Sequence, residues 1–131
     1  MKILIAEDEL ISRRFISKFM EKYGHCDITV DGSEAIEVFE MALLEGSSYD
    51  LVCLDIMMPE VDGLQALRKI RKLEKEHGVT EEKKVKIIMT TALNDVENIQ
   101  FAFQHGSEGY AVKPIDTKKL LNVMERLGLQ V

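Results

Sequence analysis

The stretch YDLVCLDIMMPEVDG, residues 49–63, decides how this chain is read. An apolar run closes on a carboxylate, Asp55, and then breaks into a turn containing Pro59 and Gly63. Such a run reads as a buried strand. A carboxylate at its end is costly unless it is paired, bound to metal or engaged in chemistry.

Similar runs recur on either side. They are KILIA (2–6), CDITV (26–30), DLVCLD (50–55), VKIIMT (85–90) and GYAVK (109–113), with starts separated by 24, 24, 35 and 24 residues. A repeat of that length is one strand plus one helix. The segments between them carry helical periodicity. Residues 10–23 offer Ile16, Phe19, Met20 and Tyr23, with Gly24 as a C-terminal cap. Residues 33–45 offer Ala35, Val38, Phe39, Ala42 and Leu43 behind Asp31 and Ser33 as capping candidates. Residues 63–76 offer Leu64, Leu67 and Ile70; Asn94 or Asp95 can cap 95–104, and Asp116 or Thr117 can cap 117–127. The long interval holds the polar stretch 73–86, a longer third helix or an exposed loop. Alternation of this kind predicts a parallel sheet covered on both faces, and right-handed crossovers make it a doubly wound α/β sandwich. One domain over 1–131 is expected.

Composition narrows the function. The chain has 131 residues, 46% hydrophobic and 31% charged, with a net charge of −6, which suits one core and argues against direct nucleic-acid binding. The basic segment EEKKVK (81–86) reads as a solvated loop. No run approaches the roughly 20 apolar residues that span a bilayer, and the N-terminal run is too short for a signal peptide. A cytoplasmic protein without membrane insertion is the expectation. Cys26 and Cys53 stand at no metal-like spacing and read as buried hydrophobes. His25, His77 and His105 are scattered and read as surface residues. Met57 and Met58 should point one outward and one inward by strand alternation.

In doubly wound sheets, ligands bind outside the carboxyl ends of the strands. The first strand delivers Glu7 and Asp8 there, the third Asp55, the fourth Thr90 and Thr91, and the fifth Lys113 followed by Pro114. Three carboxylates facing one lysine leave excess negative charge. Oxygen-only ligands in a shallow site suit Mg²⁺. A lysine opposite the carboxylates, with a hydroxyl nearby, makes a cradle for a phosphoryl group.

Taken together, AEDE, LDIMMPEVDG, MTTA and YAVKP resemble the receiver domain of two-component response regulators, in order and over essentially the whole chain. The resemblance implies a flavodoxin-like, five-stranded parallel sheet of order 2-1-3-4-5. It implies Asp55 as phosphoacceptor, taking its phosphoryl group from a histidine kinase or a histidine phosphotransfer protein. It implies Mg²⁺ held by Asp8, Asp55 and the backbone carbonyl of Met57, with Glu7 acting through water. Lys113 would contact the acceptor and then the phosphoryl oxygens, joined to Pro114 by a cis bond. Thr91 would be the switch hydroxyl, since the small Ala92 follows it, although Thr90 competes for the role; Tyr110 would be the switch aromatic. Met57 and Leu93 would flank the approach of a hydrolytic water and make the phosphorylated state long-lived.

Such a protein switches its binding to a downstream target and turns over no substrate of its own. Leu10, Ile11 and Phe15, more apolar than the core requires, would form the docking surface for the phosphodonor. Two other classes fit less well. An aspartate-nucleophile phosphatase resembles DxDx[TV] after the first strand, whereas Met57 stands two residues beyond Asp55 on the third. A flavin carrier needs a phosphate loop after the first strand, where this chain places acids.

Overall fold

The computed structural model describes residues 1–92 and 95–131. In chain order these form β1 (Lys2–Ala6), α1 (Leu10–Met20), β2 (His25–Thr29), α2 (Gly32–Leu44), β3 (Leu51–Asp55), α3 (Gly63–Glu76), a 3-10 turn (Glu81–Lys83), β4 (Lys86–Thr91), α4 (Val96–Gln104), β5 (Gly109–Val112) and α5 (Thr117–Arg126). The strands are parallel and ordered β2-β1-β3-β4-β5, the flavodoxin-like order.

Alternation along the strands sorts the core into two layers. Ile3, Ile5, Leu51, Cys53 and Ile88 pack under α1 and α5 against Ile16, Met20, Leu120 and Met124. Leu4, Val52, Leu54, Ile87 and Met89 pack under α2, α3 and α4 against Phe39, Leu67 and Ile70. Continuing the period of two carries Glu7, Asp55, Thr90 and Lys113 onto the α1/α5 face. Four polar or charged side chains therefore leave the rim on one side of the sheet.

Helix ends follow local chemistry. Asp31, rather than Ser33, caps α2 by accepting from Glu34 N–H at 2.8 Å. Asp116 caps α5. Asp62 and Gln65 form a reciprocal capping box on α3, a D-x-x-Q signature legible in the sequence and not anticipated. Glu9 caps α1, accepting from Ile11 and Ser12 N–H at 3.1 and 2.7 Å. Asp95 occupies the N-cap of α4 without a side-chain capping bond; Asn94, the other candidate, lies outside the described residues.

Some expectations are corrected. α1 ends at Met20, and Gly24 does not cap it; a Cβ on Gly24 would sit 2.0 Å from the Met1 carbonyl oxygen. Gly24 lets β2 begin close against β1. Gly63 is the first residue of α3 and is buried, whereas Glu60 takes the left-handed turn conformation at φ 61°. The 73–86 stretch is both helix and loop, yet Glu74 within it is fully buried. Its Oε1 meets Arg71 at 2.6 Å and its Oε2 accepts from Val85 N–H at 2.8 Å. Cys53 is buried and Cys26 only partly so. His25 and His77 are exposed, while His105 is half-buried against Phe101. No helix among the described residues is long and apolar enough to cross a membrane.

Candidate functional site

At the carboxyl rim, the Lys113 ammonium lies 2.6 Å from Glu7 Oε1 and 3.0 Å from Asp55 Oδ2. The other Asp55 oxygen accepts from Met57 N–H at 3.2 Å, and Glu7 Oε2 accepts from Glu9 N–H at 3.1 Å. Glu7 and Asp55 are buried and Asp8 is exposed. One carboxylate oxygen from each of Glu7, Asp8 and Asp55 lies within 4.8 Å of the other two. Arg13 donates to the carbonyls of Glu7 and Asp8 at 3.2 and 3.1 Å and so holds the β1–α1 turn. That contact had no signal in the strand-end pattern, because Arg13 sits on the following helix.

The local folding explains these positions. Ile56 N–H donates to Thr90 carbonyl and Gly63 N–H to Ile56 carbonyl, so the chain doubles back directly over Asp55. A Cβ on Gly63 would lie 2.1 Å from the Asp55 carbonyl oxygen, which reserves this position for glycine. Met57 projects outward and Met58 inward, as alternation requires. Lys113 and Pro114 are joined by a cis bond.

Charge is arranged unevenly here. Burial, with Glu7 alongside, pushes the Asp55 carboxyl up from 3.8 to about 7, with Lys113 opposing. Burial alone would lower the Lys113 ammonium, but Glu7 and Asp55 hold it above its ordinary value. Glu7 Oε1, although close to Lys113, makes no hydrogen bond of proper geometry among the described residues. A buried carboxylate oxygen with spare acceptor capacity, beside two further carboxylates, fits a hard divalent cation.

The Thr91 carbonyl accepts from Lys113 N–H at 2.7 Å, but the side chains of the switch candidates have partners outside this cluster. Thr91 is buried, and its hydroxyl donates to Asp95 Oδ2 at 3.2 Å; Asn98 donates to the same oxygen at 3.0 Å. Tyr110 is 43% exposed and meets Phe103 edge-on at 6.0 Å between ring centroids. Leu93 lies outside the described residues. Leu10, Ile11 and Phe15 are exposed on α1, Ile11 at 75%.

A doubly wound sheet with acids and a paired lysine at one rim defines a receiver-type signalling module. Residues 3–125 match the response regulator receiver domain family, and the chain belongs to it. It is 32% identical over 122 residues to the chemotaxis protein CheY of Treponema pallidum, covering 92% of this chain and 77% of that protein. It is 34% identical over 121 residues to the transcriptional regulatory protein ResD of Bacillus subtilis, covering 92% of this chain and 45% of ResD. Against the hybrid signal transduction histidine kinase L of Dictyostelium discoideum it is 32% identical, spanning 97% of this chain but 7% of the kinase. Among solved structures, the receiver domain of the histidine kinase CKI1 from Arabidopsis thaliana, complexed with Mg²⁺ and BeF₃⁻, superposes with a TM-score of 0.81 at 27% identity, covering 97% of this chain and 89% of that one.

Proposed function

We propose that this receiver accepts a phosphoryl group on Asp55 from a phosphohistidine partner, in a reaction that requires Mg²⁺. The reading rests on one observation: Lys113 bridges Glu7 and Asp55 at the rim, with Asp8 completing a three-carboxylate cluster. In the transfer, an Asp55 oxygen bonds to phosphorus while the P–N bond of the donor breaks, its electron pair returning to the imidazole. Asp55 must be ionised to attack. Lys113 then follows the charge onto the phosphoryl oxygens.

Asp8, Asp55 and the Met57 carbonyl would hold the metal, with Glu7 reaching it through water. Bound there, Mg²⁺ supplies charge neutralisation for the acids and the phosphoryl oxygens. The Mg²⁺ and BeF₃⁻ held by the related plant receiver support this assignment.

The donor is a histidine kinase or histidine phosphotransfer protein, docking on Leu10, Ile11 and Phe15 beside the rim. Thr91 and Tyr110 carry the change toward α4 and β5, where a downstream protein binds. Residues 1–131 act as one receiver unit that catalyses only its own phosphorylation and hydrolysis, without direct contact to nucleic acid. Because phosphohistidine donors are made from ATP, the site of action is the cytoplasm. Intact-mass measurement after incubation with acetyl phosphate and Mg²⁺ tests the proposal. One added phosphoryl group is expected, abolished in Asp55→Asn and by chelation; undiminished labelling of Asp55→Asn would overturn it.

A further inference from the structure

Thr90 is left without a role by the reading above. It is 2% exposed, and its Oγ1 is buried with no hydrogen-bond partner among the described residues. It is also the sheet partner of Asp55 in the β3–β4 register. Strand alternation places its side chain on the α1/α5 face, the face that carries Glu7, Asp55 and Lys113. Neighbouring strands lie about 4.8 Å apart, so one turn about χ1 brings the Thr90 hydroxyl toward the Asp55 carboxyl. A buried hydroxyl without a partner demands an explanation. In this resting arrangement both carboxyl oxygens of Asp55 are already taken, one by Lys113 and one by Met57 N–H.

Building on Asp55 as the phosphoacceptor, we infer that Thr90 is a second hydroxyl of the site, held in reserve for the acyl phosphate. When Lys113 moves to the phosphoryl oxygens, Asp55 loses a donor, and Thr90 O–H takes its place. The consequence falls on hydrolysis. A water oxygen bonds to phosphorus, and the P–O bond to Asp55 breaks with its electron pair staying on the carboxyl group. The water proton leaves with the phosphate product or to solvent. Charge grows on Asp55 as that bond breaks. A donor aimed at the leaving carboxylate strengthens in the transition state and speeds its departure. Thr90 keeps its own proton throughout. Its role is distinct from that of Thr91, the next residue of β4, whose hydroxyl already has Asp95 as a partner.

The test uses Thr90→Val and Thr90→Ser in the full chain, labelled with acetyl phosphate. Thr90→Val should slow loss of the phosphoryl group about tenfold, and Thr90→Ser should restore the native rate. Without phosphodonor or Mg²⁺, Thr90→Val should melt higher than the native protein, since it removes an unpartnered buried hydroxyl at nearly constant shape. An unchanged lifetime in Thr90→Val overturns the inference, as does a slow Thr90→Ser, which would assign the effect to packing. A lower melting temperature in metal-free Thr90→Val also overturns it, because the hydroxyl would then be serving the resting fold. Labelling that persists in Asp55→Asn fails the parent reading instead, so the two failures are separable.

Discussion

At the scale of single residues, Asp55 shows how one position reconciles a buried strand with ionic chemistry. Its strand is fully buried, and the carboxylate avoids the core only by being the strand's last residue. Burial raises its pKa from 3.8 to about 7, so the metal-free folded protein takes up a proton there that the unfolded chain does not. The stability contribution of Asp55 is thus fully present below about pH 3.8 and is lost as pH rises through about 7. A divalent cation must displace that proton. Thermal stabilisation by Mg²⁺ should therefore be small at pH 5.5 and grow through neutrality to a plateau above about pH 8. Melting curves with and without Mg²⁺ across that range would show it; a shift that does not depend on pH would remove Asp55 from the metal site.

At the scale of elements, α4 is the one helix whose N-cap carboxylate makes no capping bond among those described. Asp95 is occupied instead by Thr91 and Asn98. The hydroxyl proposed to follow the phosphoryl group is thus tied, in the resting state, to the first turn of α4. For Thr91 to act in that role, phosphorylation would have to break this tie. A hydrogen bond of this kind contributes about 0.5–1.5 kcal/mol, or roughly 2- to 13-fold in an equilibrium. Asp95→Ala should therefore tighten binding of BeF₃⁻, which stands in for a phosphoryl group, by a few-fold in the presence of Mg²⁺. Titration calorimetry would measure it, and unchanged or weaker binding would contradict the coupling.

At the scale of the whole molecule, the strand–helix alternation and the rim cluster were legible from interval length and from the residue ending each strand, whereas the strand order came only with the resemblance to receiver domains. Asp55, Glu7, Asp8 and Lys113 could be named from position alone, since parallel strands all end at the same edge. What escaped the sequence were contacts made across elements. Arg13 bracing the β1–α1 turn and Glu74 buried within a charged stretch depend on which side of a helix meets a neighbour, and the polar run 73–86 conceals that. Glycine was legible as punctuation but not in purpose. Gly24 and Gly63 serve close approach of backbone to backbone, which no local pattern announces.

The same geometry separates the molecule into a reactive end and an inert one. The connection from α3 to β4 runs along the amino-terminal edge of the sheet, opposite the rim, and Thr80, Glu81, Glu82 and Lys83 in it are exposed. Across the Glu81–Glu82 junction run the turn bond from Lys83 N–H to the Thr80 carbonyl and the solvent-exposed ion pair of Lys84 with Glu81. That makes it a permissive point for grafting a peptide tag or a fluorophore-binding sequence, since tolerance follows from exposed, weakly bonded backbone. A reporter inserted there should leave labelling by acetyl phosphate within about twofold of the native rate, because additions far from a site usually act independently of it. A loss of labelling in a folded insertion variant would reveal that the two ends communicate. Otherwise the chain offers a handle for watching its chemistry in a living cell without touching it.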